Sequence, residues 1–138
     1  MKALADTGLI VAYGNRTDRF HSWAVEIART LTEPLRTCEA VLAEAAYLLQ
    51  DRAGLAPEKL LALFERGIIS VSFRLDEHAA LVARLLERYR DQEMQLADAC
   101  LVRMSELKRD CRVFTLDKSE FQVYRRFERQ LIPLVAPD

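Results

Sequence analysis

The sequence predicts an α/β sandwich built around a mainly parallel sheet of about five strands. Three observations predict it. Short apolar or β-branched runs of three to five residues recur along the chain. Longer segments lie between them, with apolar residues at helical spacings of three and four. Breaks containing Gly, Pro or clustered polar residues separate the two kinds of segment. Strands that alternate with helices make parallel β-α units, because a parallel partner can be reached only by a long crossover.

Ala3-Leu4-Ala5 is a short buried strand, and a helix begins around Leu9 to Tyr13. Asn15 to Asp18 is a polar break. Trp23, Ile27 and Leu31, four apart, mark the next helix, which Pro34 terminates. Leu35 to Cys38 is a strand, and the Ala- and Leu-rich residues 39–50 are helical, with Gly54 as the stop. Pro57 suits the first turn of a helix that runs to Arg66, before Gly67. Ile68 to Val71 is β-branched and extended. Asp76 to Arg90 is an amphipathic helix through Leu81, Val82, Leu85, Leu86 and Tyr89. Residues 96–107 form another, through Leu101, Val102, Met104 and Leu107. Arg112 to Leu116 and Leu131 to Val135 are the last two strands.

The 138 residues suit a single domain spanning 1–138, and 51% apolar content provides for a core. No apolar run is long enough to cross a bilayer. Met1-Lys2 and the short apolar stretch behind them lack a signal-cleavage pattern, so a cytoplasmic protein is expected. Cys38, Cys100 and Cys111 are odd in number and show no CxxC spacing, which argues against a disulfide framework or a thiolate zinc site. With only His21 and His78, histidine-rich zinc chemistry and a His-dependent triad are poorly supported. A dinucleotide site would need GxGxxG, which is absent. A phosphoacceptor receiver domain would need an acidic pair after the first strand, where this chain has Asp6 alone.

Net charge is −1, unevenly spread: residues 1–100 carry 12 basic and 15 acidic side chains, and residues 101–138 carry 8 and 6. The basic C-terminal segment, with Arg103, Lys108, Arg109, Arg112, Lys118, Arg125, Arg126 and Arg129, is either a solvated face or a phosphate-guiding rim.

Four acids stand in unusual places. Asp6 is the one charge between Lys2 and Arg16 and sits where the first strand should end. Glu44 shares a helical stripe with Val41, Ala45 and Leu48, so it points with the apolar face. Asp98 is embedded in Leu96-Ala97-Asp98-Ala99-Cys100, at a helix start. Asp117 follows the strand Val113-Phe114-Thr115-Leu116. Each has an ordinary role available: an N-cap for Asp6, a stripe-edge residue for Glu44, a first-turn acid for Asp98, a turn residue for Asp117. Together, three fall where strand ends and helix starts meet at one sheet edge, the place where open α/β sheets form sites. Such carboxylates repel unless a cation joins them, and no Lys or Arg lies beside Asp6, Glu44 or Asp98 in sequence. An all-oxygen donor set suits Mg²⁺ or Mn²⁺.

These segments resemble the motifs of the PIN-domain family. Leu4 to Ala12 resembles the family's opening, Thr37 to Glu44 its second motif, Met94 to Val102 its third and Val113 to Phe121 its fourth. The resemblance spans nearly the whole chain. It implies a three-layer α/β/α domain and metal-dependent ribonuclease activity, as in the VapC-like toxins of toxin–antitoxin pairs. Carried over by position, Asp6, Glu44, Asp98 and Asp117 are the catalytic acids, with Asp6, Asp98 and Asp117 holding Mg²⁺ or Mn²⁺ directly or through water. Thr7 and Thr115 match small hydroxyl positions beside them. Glu120 and Gln95 stand where family members often have Asp, which bears on the outer metal shell. The partners implied are an RNA substrate, a cognate antitoxin protein and a second copy of the chain. Leu60, Leu61 and Phe64 are candidates for the apolar surface that pairing would cover. The alternative reading is a non-catalytic PIN-like scaffold that binds RNA or protein.

Overall fold

The computed structural model describes residues 1–138. Strand β1 (Lys2–Ala5) lies at the centre of a five-stranded sheet with β2 (Leu35–Thr37), β3 (Ile69–Val71), β4 (Cys111–Phe114) and β7 (Leu134–Val135). The spatial order is β3-β2-β1-β4-β7, and every pairing is parallel. The register sets Leu4 against Arg36 and Ala5 against Phe114, so the chain leaves β1 and β4 side by side.

The placement of the helices is a consequence of this order. They are α1 (Thr7–Gly14), α2 (His21–Thr30), α3 (Glu39–Ala53), α4 (Pro57–Glu65), α5 (Leu75–Arg88), α6 (Leu96–Leu107) and α7 (Lys118–Gln122). Steps β1→β2→β3 move one way across the sheet, and β3→β4→β7 move back the other way. Right-handed crossovers then put α1–α4 on one face and α5–α7 on the other, giving three layers. Within the layers α1 packs on α2 and α3, α3 on α4, and α5 on α6, while α3 also meets α6. The innermost helices are apolar nearly all round. Leu9 to Ala12 of α1 and Ala99 to Val102 of α6 are all buried. By contrast α5 buries only Val82 fully and turns its charged face outward.

The start and stop signals operate as their chemistry requires. Gly54 closes α3 in the left-handed region, at φ +64, with its N–H donated to the Gln50 and Leu49 carbonyls. Pro57 opens α4, where its missing N–H costs nothing.

Two expectations need correction. Leu131 to Val135 is two elements rather than one strand. β6 (Gln130–Leu131) pairs antiparallel with β5 (Arg125–Arg126), and β7 joins the main sheet as an edge strand. Pro133 separates them: it has no N–H for a ladder, but its carbonyl accepts the Val113 N–H at 2.8 Å. The strand expected to continue to Leu116 ends at Phe114, and the residues after Asp117 form α7, a five-residue helix with no apolar repeat long enough to announce it.

Candidate active site

The sheet reverses its direction of growth between β1 and β4, and the loops leaving these neighbouring strands carry Asp6 and Thr115. A crevice opens at such a point because the connecting helices depart to opposite faces. The crevice here is a cavity of about 200 Å³ lined by Asp6, Thr7, Glu44, Asp98 and Glu120, together with Asp18 and Arg52.

Asp6 is the deepest acid, 6% exposed. It is also the N-cap of α1, with Oδ1 accepting the Leu9 N–H at 2.9 Å. The N-cap role open to this residue is therefore filled, and the same side chain also lines the cavity. Burial pushes its pKa up to about 6, with Glu120 and Asp98 adding to the rise and the Thr115 hydroxyl and Leu9 N–H working against it. Asp6 has no cationic partner. Gly8 lies against this carboxylate: a Cβ there would press on Leu116 Cγ at 3.3 Å and touch Asp6 Oδ1 at 3.5 Å.

Asp98 is half-buried in the first turn of α6, and burial raises its pKa. Its Oδ2 accepts the Gln95 N–H at 3.0 Å, and the Tyr124 hydroxyl lies beside it. Tyr124 is pushed up to about 12 by burial and then by Asp98 and Glu120. Glu44 lines the cavity from α3 but is exposed, with Val41 and Ala45 buried and Leu48 half-buried along its stripe. It stands at the edge of that stripe with its head in water, not buried with the apolar face.

Thr7 lines the cavity, and Thr115 is fully buried beneath it, taking the Asp117 N–H on its hydroxyl at 3.3 Å. Thr37, on β2, donates its hydroxyl to the Ala5 carbonyl at 3.0 Å and so ties two strand ends together next to Asp6.

Asp117 and Glu120 are placed differently with respect to the cavity. Asp117 is exposed, does not line the cavity, and caps α7, with Oδ1 accepting from Ser119 N at 2.9 Å and Ser119 Oγ at 2.6 Å. Those bonds hold its pKa below the usual carboxylate range. Glu120 lines the cavity, and its pKa is raised by partial burial and by the charges of Asp117, Asp98 and Glu44. Gln95 is exposed and outside the lining, its side-chain N–H₂ donated to the Glu93 carbonyl at 3.0 Å.

Sequence reasoning missed Arg52, Asp18 and Tyr124. Arg52 was within reach of it: Glu44, Leu48 and Arg52 recur every four residues, the same spacing that singled out Glu44. Asp18 and Tyr124 approach the other acids only through tertiary packing.

No three Asp, Glu, His or Cys side chains stand close enough to cage an ion among themselves. The donor set nevertheless fits a hard cation that keeps part of its water shell, because a buried, unpaired Asp6 faces Asp98 and Glu120 across an open cavity. Neither histidine lines the cavity: His21 Nδ1 is 2.8 Å from the Ala12 carbonyl, and His78 stacks on Phe73.

Comparison with known proteins identifies the family. Over 126 residues the chain is 28% identical to ribonuclease VapC26 of Mycobacterium tuberculosis, covering 88% of this chain and 91% of that protein. The crystal structure of VapC20 from the same organism, a toxin described as cleaving the sarcin–ricin loop, superposes with a TM-score of 0.75. That match has 22% identity and covers 86% of this chain and 92% of VapC20. Residues 3–126 match the family model for the PIN domain, and the chain belongs to that family.

Proposed function

We propose that this chain is a divalent-metal-dependent endoribonuclease of the VapC kind, acting as the toxin of a toxin–antitoxin pair in the cytoplasm. The observation that carries the reading is the cavity at the β1/β4 switch, where Asp6, Glu44, Asp98 and Glu120 converge without a buried cation to neutralise them. Family membership and the ribonuclease relative support the same class of reaction.

Asp6 and Asp98, with Glu120 at the rim, would hold Mg²⁺ or Mn²⁺ largely through water. The bound ion supplies charge neutralisation at the scissile phosphate and a more acidic water. The protein's own contribution is positioning. The α1 N-terminus and Thr115 fix the Asp6 carboxylate, and the Gln95 N–H and Tyr124 hydroxyl fix Asp98. Glu44, exposed to water and lining the same cavity from α3, would orient the attacking water and accept its proton. Asp117 sets the turn that presents Glu120.

A homodimer and an antitoxin complete the proposed partners. Leu61 and Phe64 of α4 remain 55% and 39% exposed, beside an apolar groove formed with Leu42 and Ala46 of α3. Leu60, grouped with them from the sequence, is only 2% exposed and belongs to the core.

The test is RNA cleavage by the purified chain, with Mg²⁺, with Mn²⁺ and with EDTA, alongside Asp98→Asn. Metal-dependent cleavage that Asp98→Asn abolishes is the expected outcome. Equal cleavage in EDTA, or by the variant, rejects the reading.

A further inference from the structure

We propose that Arg52 seats the RNA backbone at the mouth of the acidic cavity, holding a phosphate next to the one that is cut. This rests on the ribonuclease reading.

A strand of RNA entering this cavity meets five carboxylates, those of Asp6, Asp18, Glu44, Asp98 and Glu120, and a single cation, Arg52. A metal ion can offset repulsion at the scissile phosphate, but not at its neighbours on the strand. A second positive charge is needed there, and Arg52 is the side chain in the lining that can provide it. It projects from the same stripe of α3 as Glu44, two helical turns on. At 1.5 Å per residue the two positions are separated by about 12 Å along the axis. Glu44 and Arg52 thus mark two stations of one groove.

Arg52 is also free to act. It is exposed and makes no ion pair or side-chain hydrogen bond, although Asp18 and Glu44 line the same cavity. Its guanidinium retains all five donors in a planar fork, a shape that matches two phosphate oxygens. Several cations of the basic C-terminal segment are engaged elsewhere. Arg103 is committed to Glu106 and His78, Arg126 is buried, and Arg125 donates to the Gln122 and Tyr124 carbonyls. None of that segment's cations lines the cavity.

A cation in the last turn of a helix also complements the helix dipole, a role confined to stability. RNA binding separates the two. The full-length chain carrying Asp98→Asn, to prevent cleavage, is titrated in Mg²⁺ with fluorescent random-sequence RNA oligonucleotides, both single-stranded and hairpin. Arg52→Ala should weaken binding about tenfold and lower the slope of log affinity against log salt by about 0.7, one phosphate contact on a single strand. Arg52→Lys should recover part of both. Arg84→Ala, an exposed α5 arginine outside the lining, should change neither. On the active background Arg52→Ala should raise KM more than it lowers kcat, since a neighbouring phosphate is held alike before and during reaction. Unchanged affinity and slope in Arg52→Ala overturn the proposal while metal-dependent cleavage by the unaltered chain keeps the ribonuclease reading. A binding loss that appears only with a lowered melting temperature also overturns it. If the unaltered chain neither binds nor cleaves RNA, both readings fall.

Discussion

Asp98 secures the start of its own helix: its Oδ2 accepts the backbone N–H of Gln95 at 3.0 Å. The same carboxylate faces the cavity, so one side chain serves both folding and the proposed chemistry. Substitutions can divide the two roles. Asp98→Asn keeps an oxygen for the Gln95 N–H and loses the charge, so it should melt no lower than the unaltered protein. Asp98→Ala loses both, and should melt lower by about 1 kcal/mol of stability. Both should be inactive on RNA. Thermal melts together with cleavage assays make the comparison.

Asp6 makes the metal-free protein sensitive to pH. Its pKa rises from 3.8 to about 6 on folding, so between these values the folded chain holds a proton that the unfolded chain has lost. Stability from this group is therefore complete below pH 4 and declines as pH rises through 6, by roughly 1–3 kcal/mol. In EDTA, Asp6→Asn should lack that decline and melt higher than the unaltered chain at neutral pH, since Asn still caps α1. Excess Mg²⁺ should narrow the gap by binding the folded form of the unaltered chain. Melts across pH 4–8 that run parallel for the two proteins would count against a strained Asp6.

Glu120 should matter more to catalysis than Asp117. Both acids are exposed, but Glu120 lines the cavity, whereas Asp117 does not and spends its Oδ1 on Ser119. Glu120→Gln is expected to reduce kcat on the order of 100-fold. Asp117→Asn, which keeps the turn, should reduce it by less than about a tenth of that factor. Single-turnover cleavage by the two variants decides the order.

Arg126 is the most deeply buried cation. One of its terminal nitrogens donates to the Ser105 and Arg109 carbonyls, each at 3.0 Å, and so covers the C-terminal end of α6. Its Nε has no partner. Arg126→Met would fill the space but leave those carbonyls unpaired, at a cost of about 2–3 kcal/mol. Denaturant unfolding should show the loss. Because Arg126 lies outside the cavity, cleavage by the folded fraction should be unchanged.

Pairing through α4 is open to a simple measurement. Leu61→Lys combined with Phe64→Lys should convert a dimer to a monomer at micromolar concentration by light scattering. Leu60→Ala should instead unfold the core, costing about 2–5 kcal/mol. A dimer that survives the double change pairs through another face.

Local chemistry made much of this protein legible from its sequence. The apolar periods of Leu9–Ala12 and Ala99–Val102, the stop at Gly54 and the opening at Pro57 act within one helical turn, so residues close in sequence contain the whole cause. Asp6 and Asp98 were visible for the same reason, as charges inside segments that must be buried. The course of the chain beyond strand β4 was not visible in this way. Whether residues 130–135 form one strand or two depends on what Arg125–Arg126 and Val113 offer as partners, and those lie elsewhere in the chain. The different placement of Asp117 and Glu120 has a similar origin. Both acids come after the same strand, and only the turn held by Ser119 decides which one faces Asp6 and Asp98. Arg52 and Asp18 reach the cavity because α3 and the segment between α1 and α2 pack at its mouth. Sequence pattern determines which face of each element is buried, since burial obeys a local period. Which functional groups meet across elements is decided by packing, because distance in the folded chain is independent of distance along it.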